Sequence, residues 1–353
     1  MKITYLGFNS FKHHKRGVEN VIDFQSKASF SAINYYLHWD SEETICHYEN
    51  LICIGIKKNF FWFLRLNSVL YKIKKRDRKV FIHSHNPLMT ILSIYQSDLY
   101  TVHDALYYLT SANNYKFKKL FFLLEKILYQ RTRFVHFISE YAKEMSLFSG
   151  NKKWIIIPNT SHLENFKIDI EILIQTNRIK KFNSLATKIF IVRSIEERAR
   201  IDLLIEVAKY LKEENFEFFI AGKGPLLDFY SNKIKSLKLD NIMLLGYVSD
   251  NDLVQYYKDC DIVLMPAEYG EGFGLPIIEG YLFDKPVIGS DRCAIPEVIC
   301  NKDFLFENTL ESIVLKIRFA CDNLKGSYRL YYESKFSNSM VMNSFNQLYK
   351  TIK

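Results

Sequence analysis

The chain has 353 residues, 48% hydrophobic and 25% charged, the profile of a globular protein and not of a disordered one. That length exceeds one ordinary core, and two domains of about 160–180 residues are expected. No stretch of about 18 uncharged apolar residues exists, which excludes a membrane-spanning helix, while a net charge of +9 calls for an anionic partner.

The N-terminus, MKITYLGFNSFKHHKRG, starts as a strand and runs into a basic loop. It lacks the apolar core of a signal peptide. The six cysteines fall mostly in apolar patterns and none forms a C-x-x-C pair, so reduced core thiols and a cytoplasmic location are expected. Strand candidates follow at 2–8, 44–48, 51–56, 80–85, 99–103, 134–139 and 154–158, with helical patterns at 60–75 and 117–130. Such alternation predicts a parallel sheet covered on both faces. The polar, lysine-rich stretch 161–187 reads as a connection. A second β/α run takes strands at 189–192, 218–221, 242–247, 262–266 and 286–289, and an amphipathic helix at 338–352 closes the chain.

The most informative stretch is 261–298, DIVLMPAEYGEGFGLPIIEGYLFDKPVIGSDRCAIPEV. An apolar strand enters a glycine-rich loop carrying Glu271, a helix follows with Pro276 near its start and Glu279 one turn in, and a second strand comes next. Gly272 and Gly274 let a ligand approach the backbone. Pro276 suits a first helical turn, where its missing N–H would have no partner anyway. The remaining free amides and the helix dipole favour a phosphate. Glu279 can accept from both hydroxyls of a ribose, and Glu271 from sugar hydroxyls. Without further context, a strand–turn–helix unit with two solvated acids explains the same residues.

The two acids, with G-F-G-L-P between them and K-P-V-I after, resemble the signature of retaining glycosyltransferases of family 4. The resemblance continues through Phe216–Pro225 and Asn241–Ala267. In the first half it includes Arg16–Ile22, Thr101–Asp104, His136–Glu140 and Ile155–Asn159. It implies an α/β protein of GT-B fold, with two Rossmann-like domains facing each other across a cleft. The first domain would span 1–165 and hold the acceptor. The second would span 166–335 and hold the nucleotide sugar, and a C-terminal helix, 336–353, would cross back onto the first. It also implies a hexosyltransferase-type enzyme. A sugar would pass from a nucleotide-diphosphate donor to a hydroxyl of a glycan or polyprenyl-linked acceptor, in surface polysaccharide or lipopolysaccharide assembly.

Site roles follow from the same resemblance. Arg193 takes the position of the diphosphate arginine; a guanidinium fork bridges phosphate oxygens well. The family's usual lysine is absent, and Arg198 is expected in its place, with Arg200 as the alternative. Gly222, Gly272, Phe273, Gly274 and Leu275 would line the donor, Tyr247 and Val248 would flank the base, and Glu279 would hold the ribose. Glu271 and His103 would orient the sugar. Gly17 would open the acceptor-side loop, with Arg16 where the family often has another glycine. A buried, locally satisfied histidine explains His103 equally simply from the residues alone.

No metal or other cofactor is expected. Asp250–Asp252 and Asp259–Asp261 mimic a D-x-D metal motif, but Ser249 or Asp250 suits a helix N-cap and the second triplet straddles a helix end and a strand. His83 and His85 sit two apart at a strand end and could clasp a metal, but they are expected to line the cleft or cap the strand. Basic residues concentrate in the first half, at 12–16, 57–58, 72–79 and 114–133. The last of these combines Lys and Arg with Phe, Leu and Tyr on a helical pattern. It fits either an anionic membrane surface or an ordinary helix with a solvated basic face. Nucleic acid is not expected, since no recognition motif accompanies the charge. Alternatives to the transferase are a GT-B sugar-nucleotide epimerase and a catalytically inactive scaffold.

Overall fold

The computed structural model describes residues 2–11, 17–28, 31–112, 117–166 and 186–352. Arg16 and most of the expected connection at 161–187 lie outside the described residues. The chain divides into two units, Met1–Asn159 with Ser339–Lys353, and Thr160–Asn338.

In the first unit the order is β1 (Lys2–Leu6), α1 (Gly17–Lys27), β2 (Asn34–Asp40), β3 (Thr44–Tyr48), β4 (Leu51–Lys57), α2 (Trp62–Arg76), β5 (Val80–Ser84) and α3 (Pro87–Leu92). It continues with β6 (Ser97–Val102), α4 (Leu106–Ala112), α5 (Lys118–Gln130), β7 (Thr132–Phe137), α6 (Glu140–Glu144) and β8 (Lys153–Ile156). The second unit runs β9 (Thr187–Val192), α7 (Ile201–Tyr210), β10 (Phe216–Ala221), α8 (Leu227–Ser236), β11 (Ile242–Gly246), α9 (Asp250–Asp259) and β12 (Ile262–Met265). Then come α10 (Leu275–Leu282), β13 (Val287–Ser290), α11 (Ile295–Val298), β14 (Leu305–Phe306), α12 (Leu310–Asp322) and α13 (Tyr328–Lys335). Helix α14 (Asn338–Thr351) is last.

The first sheet has the order β3-β4-β2-β1-β5-β6-β7-β8. Seven strands are parallel; β3 pairs antiparallel with β4 across a tight turn at Glu49. Two sequence expectations are corrected here. The segment 44–56 is a hairpin at the sheet edge, which short turns permit only for antiparallel strands. Strand β2, absent from the sequence reading, lies beside β1 with its first five residues buried. Its composition, NYYLHWD, mixes polar and aromatic residues and shows neither an apolar run nor a clean alternation.

Side chains of successive strand residues point to opposite faces, and this sorts the first core into two layers. Tyr5, Tyr36 and Phe81 pack with Ile22 of α1 and with Val341, Phe345, Leu348 and Tyr349 of α14. Their neighbours Leu6, Leu37 and Ile82 pack with Leu66, Val69, Leu70 and Ile73 of α2 and Met89 of α3. Helix α5 joins that second face through Leu128 and Tyr129, against Tyr100, Val102, Val135 and Phe137.

The second sheet, β11-β10-β9-β12-β13-β14, is parallel throughout. Its first strand, β9, stands in the middle with β10 on one side and β12 on the other. That is the doubly wound order, and ligands of such sheets bind beyond the strands' carboxyl ends where the winding reverses, here between β9 and β12.

Candidate active site

Arg193 follows β9 directly, and the loop after β12 carries Glu271. The switch point of the second sheet therefore brings together two residues 78 positions apart, and their side chains form an ion pair, Arg193 Nη1 to Glu271 Oε2. Arg193 is only 9% exposed and its Nε has no acceptor among the described residues. A buried donor without a partner costs about 1–3 kcal/mol, which an incoming anion would recover. Glu271 is held at its other oxygen by the amide of Gly274 at 2.8 Å.

Gly274 is the N-cap of α10 with φ of 92°, and Pro276 occupies the first turn. An alanine there would carry a Cβ 2.8 Å from Ile277 Cδ1 as well as a backbone strain of roughly 1–3 kcal/mol. Gly274→Ala is therefore expected to lower the urea midpoint of the second unit, and an unchanged midpoint would contradict the geometry. The helix is short and apolar, with Ile277, Ile278, Tyr281 and Leu282 buried, so its direction is fixed by the core beneath it.

Arg198 and Arg200 are both paired with carboxylates, Arg198 with Glu196 at 3.2 Å, and they differ in what else they reach. Arg198 Nη1 donates to the Gly270 carbonyl at 2.7 Å, on the loop that carries Glu271. Arg200 is committed to Glu268 at 2.6 Å and to Asp202. Gly222, with φ of 148°, packs so closely on Arg193 that a Cβ would sit 1.7 Å from the Arg193 carbonyl oxygen. It shapes the floor of the switch point through its backbone. Tyr247 is exposed and Val248 half-buried just beyond β11, and Lys223 Nζ lies 5.2 Å over the Tyr247 ring. Lys223 was not among the expected site residues, although its place in a G-K-G-P turn after a strand signals a strand-end position.

Phe273 is buried and packs edge-on against Phe336 at 6.0 Å, so only its backbone faces the loop, while Gly272 and Leu275 are half-buried. Glu279 is buried, with Oε2 accepting from Tyr257 Oη at 2.7 Å and Oε1 from Ser161 Oγ at 3.3 Å. Burial raises its carboxyl above the ordinary value against the opposing pull of His162 and of those two donors. Ser161 and Tyr257 were not foreseen, since neither lies near residue 279 in sequence. Ser249 is the N-cap of α9, so Asp250 and Asp252 sit in its first turn. Asp259 accepts from Gln255, and Asp261 from the Lys188 amide.

His103 and Gly17 belong to the first unit, and Gly17 is exposed at the start of α1. His103 Nε2 lies 2.9 Å from His85 Nδ1, at the carboxyl ends of β6 and β5. Burial holds His103, His85, His83 and His136 below the ordinary imidazole value, His136 at about 4. The Nε2 of His85 has no partner among the described residues. An orphaned acceptor is cheaper than an orphaned N–H, so His85 Nδ1 carries the proton and donates, which leaves the proton of His103 on Nδ1.

Two doubly wound units of this topology define the GT-B fold class. Residues 175–335 match the family described as Glycosyl transferases group 1. A 41.2 kDa protein in the cps region of Klebsiella pneumoniae is 26% identical over 249 residues, 66% of each chain. The serotype-specific mannosyltransferase WbdA of Escherichia coli is 29% identical over 32% of this chain and 14% of its own. The chain thus spans just under two thirds of the first relative and a small part of the second. Among solved structures, sucrose-phosphate synthase from Thermosynechococcus elongatus superposes with a TM-score of 0.82 at 14% identity, covering 99% of this chain and 98% of that one. Anabaena HepE, solved in complex with UDP and glucose, superposes at 0.76 and 14% identity over 99% of each chain. The resemblance read from the sequence holds at the level of group 1 and of the GT-B fold.

Proposed function

We propose that the chain is a retaining, family 4 glycosyltransferase. It would move a sugar from a nucleotide-diphosphate donor to a hydroxyl of a glycan or polyprenyl-linked acceptor, in the building of a surface polysaccharide or lipopolysaccharide. One observation carries the reading: a buried guanidinium with a free Nε, beside Glu271 and the α10 amides, at the switch point of a parallel sheet. The group 1 match, the cps and mannosyltransferase relatives and a fold neighbour that holds UDP point the same way.

In this reading Arg193, Arg198 and the helix-start amides stabilise charge growing on the departing diphosphate, the electrostatic role a metal plays elsewhere. Arg198 is the stand-in for the family lysine, because its Nη1 reaches the Gly270 carbonyl on the loop that carries Glu271, while Arg200 is held away by Glu268 and Asp202. The acceptor oxygen attacks the anomeric carbon on the face the diphosphate leaves, the anomeric C–O bond breaks, and a phosphate oxygen takes the acceptor proton. Glu271 holds the sugar ring, and His85 fixes His103 of the first unit in one tautomer. Tyr247 and Val248 flank the base.

Glu279 holds the ribose by exchanging its bonds from Ser161 and Tyr257 for ribose hydroxyls. A panel of UDP-, GDP- and other sugar nucleotides is expected to raise the melting temperature of the wild type for one base. Glu279→Gln, which keeps the size of the side chain, is expected to lose most of that shift. An undiminished shift would remove the ribose assignment.

A further inference from the structure

Helices α2, α3 and α5 cover one face of the first sheet, and their outward sides are unusually apolar. Phe60, Phe61, Leu64 and Tyr71 stand exposed on and just before α2, at 83%, 60%, 58% and 55%. Leu88, Leu92 and Ile94 are exposed on and after α3, and Phe117, Leu120 and Leu123 on and before α5. Soluble surfaces carry scattered apolar residues, but a run across three neighbouring helices marks an interaction site.

The same three helices hold nearly all of the charge imbalance. Their sequences contain Arg65, Lys72, Lys74, Lys75, Arg76, Lys118, Lys119 and Lys126 against a single carboxylate, Glu125. Glu125 is buried, with its oxygens taken by the amides of Tyr107 and Leu147 and by Tyr129. Lys57 and Lys58 add to the exposed cations beside Phe60. The described surface of these helices therefore presents aromatic and aliphatic side chains among cations, with no exposed acid on the helices themselves.

We propose that this three-helix face docks on an anionic lipid bilayer. Aliphatic residues predominate in number over stacking rings, which suits an acyl boundary and not a nucleobase. Arg65 pairs with Glu43 at 2.7 Å, and the remaining surplus of cations complements an anionic headgroup layer, with long lysine stems that let the charge stay at that level while the apolar atoms sink. The pattern goes beyond the α5 segment read from the sequence, because Phe60 and Phe61 stand exposed just before α2, with Leu64 and Tyr71 on it. The purpose of the contact, reaching a lipid-linked acceptor, rests on the glycosyltransferase reading; the contact itself does not.

The full chain is expected to sediment with phosphatidylglycerol-containing vesicles and not with phosphatidylcholine alone, with binding that falls as salt rises. Phe60→Ser with Phe61→Ser should weaken partition at least tenfold. Lys72→Gln with Lys75→Gln should weaken it by roughly fivefold for each cation removed. A matched pair in the second unit, Lys233→Gln with Lys235→Gln, should leave it unchanged. Equal binding to both vesicle types, no binding to either, loss in the α8 pair alone, or capture of single-stranded RNA in place of vesicles would each overturn the proposal. Sugar-nucleotide thermal shifts, read on the same preparations, report the second unit independently. Failed vesicle binding with an intact nucleotide shift would therefore sink the docking face and leave the transferase reading standing.

Discussion

Arg193→Leu is expected to lower transfer from a sugar nucleotide by on the order of 10²–10³-fold, the usual cost of deleting one preorganised charge donor. It should also abolish the thermal shift by the nucleoside diphosphate. Glu271→Gln is expected to behave differently, and the contrast is the sharper test. In the structure Arg193 is tied to Glu271, so an incoming diphosphate competes with that carboxylate for the guanidinium. Removing the charge while keeping the bond from the Gly274 amide frees Arg193 for phosphate. Affinity for the nucleoside diphosphate should then hold or rise, while kcat with the sugar donor falls, because the amide binds sugar hydroxyls less well than a carboxylate. The stability cost of Arg193→Leu should be modest, while Glu271→Gln, which leaves a guanidinium only 7% exposed without its counter-charge, should cost more in the absence of nucleotide. A buried pair broken on one side costs about 3–5 kcal/mol, but Glu271 is 18% exposed in its side chain and retains its amide donor, so it is not left stranded. If Arg193→Leu kept full nucleotide affinity, the switch-point site would lose its central member.

Much of this site was legible because its chemistry is local in sequence. Strand, glycine loop, Pro276 and Glu279 lie within one continuous stretch, and each residue's type follows from the turn it occupies. Arg193 was legible as a strand-terminal cation. Its ion pair with Glu271 was not, since nothing along the chain states which strand lies beside β9. The sheet order does. The same limit explains Glu279: its identity was readable, but its donors Tyr257 and Ser161 come from other elements. Strand β2 escaped because burial on both faces removes the alternation by which half-buried strands are recognised. The sequence shows His83 and His85 as a pair at a strand end. What they do depends on β6, β7 and α14, up to 266 residues away.

That histidine network predicts the second large effect, a loss of first-unit stability in mild acid. The Ile157 carbonyl can only accept, so His136 Nε2 carries its proton, at 2.9 Å. Thr101 Oγ1 then donates to His136 Nδ1 and accepts from His83 Nε2, at 2.9 and 2.7 Å. His83 Nδ1 accepts in turn from Tyr349 Oη of α14 at 2.9 Å. Both neutral rings of this network, His136 and His83, are satisfied at both nitrogens. A second proton on His136 would place another N–H on the Thr101 oxygen and strand that hydroxyl's own hydrogen, besides burying a charge. Folded-state affinities for protons are accordingly depressed for all four histidines. The unfolded chain takes up these protons below about pH 6.5 and the folded one only near pH 4 or lower for His136, so stability falls as pH drops through that window. Each histidine contributes a slope of about 1.4 kcal/mol per pH unit. Glu125, raised by burial, opposes this as a single carboxyl. All three tryptophans, Trp39, Trp62 and Trp154, lie in the first unit, so their fluorescence follows its unfolding alone. Urea midpoints read this way should fall steeply between pH 6.5 and 5, and His136→Gln should flatten the slope whatever it does to the midpoint itself. A midpoint constant across that range would show the rings to be protonated equally in both states, and the tyrosine clasp on α14 would then have no part in acid lability.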